Sequence, residues 1–220
     1  MRGLDKVETD ISVGFKAMSQ ARAVSRRESI LDAALRIFSK HGYSRASMDA
    51  IADESRTSRG GVYFHFPNRE AIFIALLNRT TQRLTGKIGE ALTSHDDPVA
   101  RADAALYTVM RTFSRHRGIA RLLMMEGHGL GRDFNLQMDR VRAGFSAIIQ
   151  LEIEEAVRTG IIEPVDSEVT ATAWFGALSE VITRWALSKD SSRSLEESYA
   201  TLRILLMRSV GVDSRKDGPR

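Results

Sequence analysis

The residues best equipped for chemistry crowd into one short stretch. Ser58, Arg59, Gly61, Tyr63, Phe64 and His65 lie together, with Arg45 and Ser47 just upstream and Arg69 just downstream. Guanidinium, phenol, imidazole and hydroxyl groups are hydrogen-bond donors. Set close together, they suit phosphate oxygens better than bond-breaking. Arginine bonds bidentately to a guanine edge, and an aromatic ring contacts the thymine methyl group. Ser47 and Ser58 each precede a short helical pattern, where free backbone N–H groups and the helix dipole favour anions. Bland roles stay open at this point. Tyr63 and Phe64 would also serve as core, His65 as an exposed histidine without a role, and Arg69 as a solvated first-turn residue.

Other chemistries find little support. The chain has no cysteine, which removes disulfides, thiolate metal sites and cysteine nucleophiles. His41, His65, His95, His116 and His128 never fall at metalloprotease spacing. No glycine-rich nucleotide loop follows a strand, and no G-x-S-x-G elbow occurs. No catalytic residue, metal or cofactor is expected. The net charge is +4, and residues 1–70 hold 12 Lys+Arg against 9 Asp+Glu, so most of the excess lies in the first third. No apolar run reaches bilayer-spanning length and no signal peptide is visible, so the expectation is a cytoplasmic protein without membrane contact.

The elements that must hold these residues read as all-helical. Residues 1–24 are expected to be a flexible arm or a frayed helical extension, with structure beginning convincingly at the capping-box pattern Ser25-Arg26-Arg27-Glu28. Ile30, Leu31, Ala34, Leu35 and Phe38 then recur at helical spacing, and Gly42 closes the helix. Ser47, Ser58 and Asn68 start the next three helices, Asp97-Pro98 another, Asp166 or Ser167 a later one, and Ser194 with Glu197 the last. About nine helices result, with no useful strand pattern. The expected division is a three-helix helix-turn-helix headpiece at 25–70, a larger helical body at 71–212 and a disordered tail at 213–220.

Residues 25–77 resemble the DNA-binding headpiece of TetR-family transcriptional regulators. The matching features are Ala34 and Phe38, Gly42-Tyr43, Ser47-Met48 with Ile51-Ala52, Ser58-Arg59-Gly60, Val62-Tyr63 with His65-Phe66, and Arg69-Glu70-Ala71. The resemblance implies phosphate contacts from Tyr63, His65 and Arg69, and base-facing places for Arg59 and Phe64. Departures occur at Arg56, where relatives often carry glycine in the turn, at Thr57, often valine, and at Gly61, often threonine or serine. The turn is then expected either to be built from a non-glycine left-handed residue or to differ slightly in geometry. Gly61 empties a place that faces DNA in relatives.

For the body the resemblance implies an effector pocket among the middle helices and a dimer bundle from the last two. The segment from Ala173 through Trp185 resembles fatty acyl-CoA-responsive members. Candidate pocket residues are Met110, Phe113, Arg121, Met125, His128, Phe134, Met138, Phe145, Trp174 and Leu178. Methionine adapts to apolar ligands, though it also fills ordinary cores. The expected partners are double-stranded operator DNA, a hydrophobic small molecule and a second copy of the chain, joined through Trp174, Leu178, Ile182, Tyr199, Leu202 and Leu206. The competing readings are a helical interaction module or an enzyme, neither binding DNA.

Overall fold

The structure is a computed structural model that describes residues 4–125, 132–188 and 194–212. Nine helices and no strand occur among the described residues: α1 Leu4–His41, α2 Met48–Glu54, α3 Arg59–His65, α4 Arg69–Leu92, α5 Pro98–Arg115, α6 Arg117–Met125, α7 Arg132–Arg158, α8 Ser167–Leu187 and α9 Leu195–Ser209. Two compact units divide the chain, Met1–Leu76 and Leu77–Arg220, so the boundary falls within α4. The expected tail at 213–220 lies outside the described residues.

Most helix starts follow local capping chemistry. Ser47 Oγ accepts from Ala50 N at 3.1 Å, Ser58 Oγ from Gly61 N at 3.1 Å, and Asn68 Oδ1 from Ala71 N at 2.8 Å. Asp97 and Asp166 cap α5 and α8, and Ser194 with Glu197 closes a reciprocal capping box on α9. Each cap satisfies a backbone donor that the helix cannot, worth about 1 kcal/mol.

One start differs from expectation. α1 runs on from Leu4 through Ser25, so the Ser25–Glu28 pattern lies inside a helix and residues 4–24 follow the helical of the two expected forms. The residues before Ser25 explain this. Phe15–Val24 contain neither glycine nor proline and are rich in alanine, with methionine, glutamine, lysine and arginine, all strong helix formers. A capping pattern starts a helix only where the preceding chain leaves the helical region.

The first unit is built around buried Ile30, Leu31, Ala34, Phe38, Ile51, Val62, Phe66, Ile72 and Phe73. Phe38, Tyr43 and Phe73 form an aromatic trio with centroids 5.1–5.8 Å apart. The second unit packs α7 on α8, α5 on α9 and α6 on α8. Its core joins Leu84, Leu106, Met110, Phe113, Ile182, Leu195, Leu202 and Leu206. The Ile182, Leu202 and Leu206 side chains expected to meet a second copy are therefore buried inside the protomer. The apolar stripe of α9 is already covered by α5.

Candidate nucleic-acid interface and effector cavity

The turn between α2 and α3 is set by backbone geometry. Arg56 has φ of 51°, the one positive-φ non-glycine among the described residues, which is the left-handed of the two forms expected for this turn. Its N–H donates to Asp53 O at 3.1 Å and that of Thr57 to Ala52 O at 3.0 Å, which closes α2. A residue with a Cβ costs about 1–2 kcal/mol there relative to the right-handed region. Gly61 also has a steric reason. A Cβ there would come 2.8 Å from Thr57 Cγ2 and 3.2 Å from Ser58 Oγ, so glycine leaves room for the serine cap.

α3 is only seven residues long, and Val62 is its one buried side chain. Phe64 is 83% exposed and Tyr63 46% exposed, so neither is a core residue. His65 lies edge-on to Phe64, with ring centroids 5.2 Å apart. Arg45, Ser47, Ser58 and Arg59 are exposed as well.

The arginines divide into engaged and free. Arg59 forms a bidentate pair with Asp49 of α2, at 2.5 and 2.6 Å. Arg36 pairs with Glu54 at 2.6 Å. Arg69 turns toward its own unit: Nη1 donates to Ala46 O at 2.7 Å and Ser44 O at 3.1 Å, while its guanidinium lies 4.2 Å from the Tyr43 ring centroid. It thereby clamps the α1–α2 loop. Sequence reasoning had no signal for this, because the loop carbonyls come near only after folding. Arg69→Ala should therefore lower headpiece stability by about 1.5–3 kcal/mol, the worth of charge-assisted hydrogen bonds. Chemical denaturation checks this, and an unchanged midpoint would refute the clamp.

In the body, a cavity of about 660 Å³ lies among α4 from Leu77 onward, α5, α7, α8 and α9. That size lies within the range of small-molecule pockets, and such sites are mostly apolar. Of the expected pocket residues, Phe113, Met138, Phe145, Trp174 and Leu178 line it. Met110 and Phe134 are fully buried but are not among the lining residues. Arg121 is exposed and off the cavity. The Met125 side chain and His128 lie outside the described residues. The sequence reading did not single out Val109, Arg142, Glu152 and Phe175, which also line it. No spacing rule separates a residue facing a cavity from one facing packed core.

The cavity's polar groups are few. Glu152 is held by Arg101 at 3.0 Å, both about one-fifth exposed. Asn135, Asp139 and Arg142 line the cavity and are exposed, which marks its mouth. Trp174 is fixed by its indole N–H, which donates to Ser209 Oγ at 3.0 Å. Trp185 does not line the cavity. Its ring packs under Arg117, whose Nη2 donates to the Trp185 carbonyl at 2.8 Å and also to that of Ser188. Behind α5, Tyr199 donates to Asp103 at 2.5 Å and Arg203 pairs with the same carboxylate at 2.8 Å. Burial, with the carboxylate beside it, pushes the Tyr199 phenol above its ordinary range, so it stays a protonated donor.

Comparison with known proteins decides what this arrangement is. Residues 30–76 match the model of bacterial regulatory proteins of the tetR family, and residues 95–187 match that of the tetracyclin repressor-like C-terminal domain. The chain belongs to the TetR family. Its headpiece is the helix-turn-helix of a DNA-binding transcriptional regulator, and its body is the ligand-responsive part. The nucleoid occlusion factor SlmA of Vibrio vulnificus is 26% identical over 193 residues, covering 84% of this chain and 97% of that protein. FadR of Bacillus subtilis, solved with stearoyl-CoA, superposes with TM-score 0.76 at 19% identity, covering 81% of this chain and 96% of that one. AibR, solved with isovaleryl coenzyme A and operator DNA, gives 0.67 at 22% identity over 82% of this chain and 97% of that one. At these identities the two structures carry the TetR fold to this chain, and not their ligands.

Proposed function

We propose that this TetR-family regulator is a repressor, binding a two-fold operator as a homodimer and released by a predominantly apolar small molecule with an anionic head. The observation that carries the effector reading is the cavity of about 660 Å³, walled by Leu84, Ile88, Phe113, Phe145 and Leu178, with charge confined to a few positions. Arg142, the one basic residue of the lining, pairs with Asp139 at 3.4 Å and would have to turn from it to meet the head group. FadR and AibR neighbours solved with acyl thioesters of coenzyme A support an acyl ligand. Burying each methylene is worth about 0.8 kcal/mol, so affinity should rise about fourfold per added CH₂ until the chain overfills the cavity. Thermal shift and calorimetry across a series of fatty acids and acyl-CoAs test this. Binding confined to small hydrophilic molecules would overturn the apolar reading and leave the regulator assignment standing.

On the DNA side, the exposed Phe64, Tyr63, Arg45 and Ser47, with the half-buried His65, form the contact face, with α3 in the major groove. Arg69 acts on DNA through the loop it clamps. Arg59 must leave Asp49 to reach a base. Arg59→Ala should cost about 1–3 kcal/mol at one half-site position and relax selection there. Asp49→Asn, which frees Arg59 and removes a negative charge in each of two protomers, should steepen the salt dependence by about two units on all sequences. Selection from random duplexes and titrations at several salt concentrations read both. A selected motif without two-fold symmetry would count against the dimer.

The dimer face is the part of α8 and α9 that the protomer leaves uncovered. Val169, Thr172, Ala173, Gly176 and Leu187 on α8 are exposed, as are Ile204 and Leu205 on α9. Nothing lies within 4 Å of a Cβ built on Gly176, which leaves room for a partner helix to approach. A helix apolar on nearly all sides, as α8 is, normally has neighbours on all sides.

A further inference from the structure

The helical course of α1 through Ser25 has a consequence for charge. It puts Arg22, Ser25, Arg26 and Ser29 at i, i+3, i+4 and i+7, on one face of the helix. The same groove is lined by Ser55, Arg56 and Thr57 of the α2–α3 turn. Three guanidinium groups and four hydroxyls therefore surround one open groove, with no carboxylate among its lining residues. The nearest acids of α2 are otherwise placed. Asp49 is taken by Arg59 and Glu54 by Arg36, while Asp53 is exposed and off the groove. Arg22, Arg26 and Arg56 make no ion pair among the described residues, whereas Arg36, Arg59 and Arg69 of the same unit are all engaged.

Arg56 adds a second, independent observation. It occupies the left-handed position of the turn, where glycine would fit without strain. Backbone strain persists where the side chain has a use. Like charges gathered in one groove repel each other until an anion lies between them, and arginine binds phosphate oxygens with paired N–H donors.

We propose that this groove is a second DNA-backbone site, in which Arg22, Arg26 and Arg56 hold phosphates flanking the half-site read by α3. The proposal rests on the DNA-binding reading above. The site adds affinity and register but no base preference, because phosphates carry no sequence. It also gives the N-terminal part of α1 a task that a short headpiece helix could not perform.

The experiment compares wild type, the double variant Arg22→Gln/Arg26→Gln, and Arg56→Gly by fluorescence anisotropy on a selected operator at several salt concentrations. With two protomers on the operator, the double variant should flatten the log–log salt slope by about four, and Arg56→Gly by about two. Sequence preference should not change. Arg56→Gly places the favoured residue at the left-handed turn position, so its unfolding midpoint should stay within a few degrees of wild type, which separates lost contact from lost fold. Neutral methylphosphonates at the flanking phosphates should weaken wild type by more than they weaken the double variant, which keeps Arg56. Unchanged slopes in both variants would overturn the proposal, as would tight binding of free pyrophosphate without any slope change, which would make this a small-anion site. In either case Arg59→Ala would still alter base selection if the regulator reading holds. Failure of wild type to select any sequence would instead remove that reading.

Discussion

Leu202→Asp should yield no folded body, whereas Leu205→Asp should yield a folded monomer that no longer binds its operator. The two residues lie within one turn of α9 and differ in what covers them. Leu202 is 5% exposed and part of the core that joins α5, α8 and α9, while Leu205 is 56% exposed. A carboxylate at 202 would be buried without a partner, a penalty of several kcal/mol that a domain stable by about 5–15 kcal/mol rarely survives. At 205 the carboxylate stays hydrated in the monomer and is buried only if a second copy docks there. The stability of the isolated chain should then change by less than about 0.5 kcal/mol. Circular dichroism and light scattering separate the outcomes. Leu205→Asp remaining a dimer at micromolar concentration would move the interface off this face. Wild type running as one protomer at that concentration would remove the dimer altogether.

This contrast shows what was legible in the sequence. Capping residues could be read because each acts within four residues. Ser47, Ser58, Asn68, Asp97, Asp166 and Ser194 all begin the helices expected of them. The headpiece was legible as a whole because its residue types and spacings form a pattern specific to one family. A left-handed Arg56 could be foreseen as one of two forms of the turn because glycine was missing where geometry asks for it. Among the caps Ser25 is the exception, because its capping pattern lies inside α1. The other failures were questions about partners distant in sequence. Periodicity showed that Leu202 and Leu206 face inward, but not that α5 of the same chain, rather than a second copy, covers them. It grouped Met110 with Phe113, although the first is core and the second lines the cavity. It also gave no hint that Asp49 would hold Arg59, ten residues on, or that Arg69 would reach back to the carbonyls of Ser44 and Ala46.

The other large effect concerns the cavity. Val109→Trp should give a protein that binds its operator normally and no longer answers to any effector. Val109 is 8% exposed and lines the cavity from α5, together with residues of α7 and α8. A larger ring normally strains a packed core by about 1–3 kcal/mol, but here it can extend into unfilled space. Fold and dimer should therefore persist, and the unliganded melting temperature should stay level or rise. Effector affinity should fall at least tenfold, because the indole takes the volume an acyl chain would use. In the proposed scheme the effector releases DNA only through its differential affinity for two headpiece arrangements, so by reciprocity operator DNA must weaken effector binding by the same factor, about 5–150-fold for a coupling of 1–3 kcal/mol. α4 supplies Phe73 to the first unit and Leu77, Leu84 and Ile88 to the cavity wall of the second, so one continuous helix belongs to both equilibria. The decisive measurement is operator affinity with and without a saturating long-chain acyl ligand, in wild type and Val109→Trp. Release in wild type alone is the expected result. Equal release in both proteins would mean that the effector acts from somewhere other than this cavity.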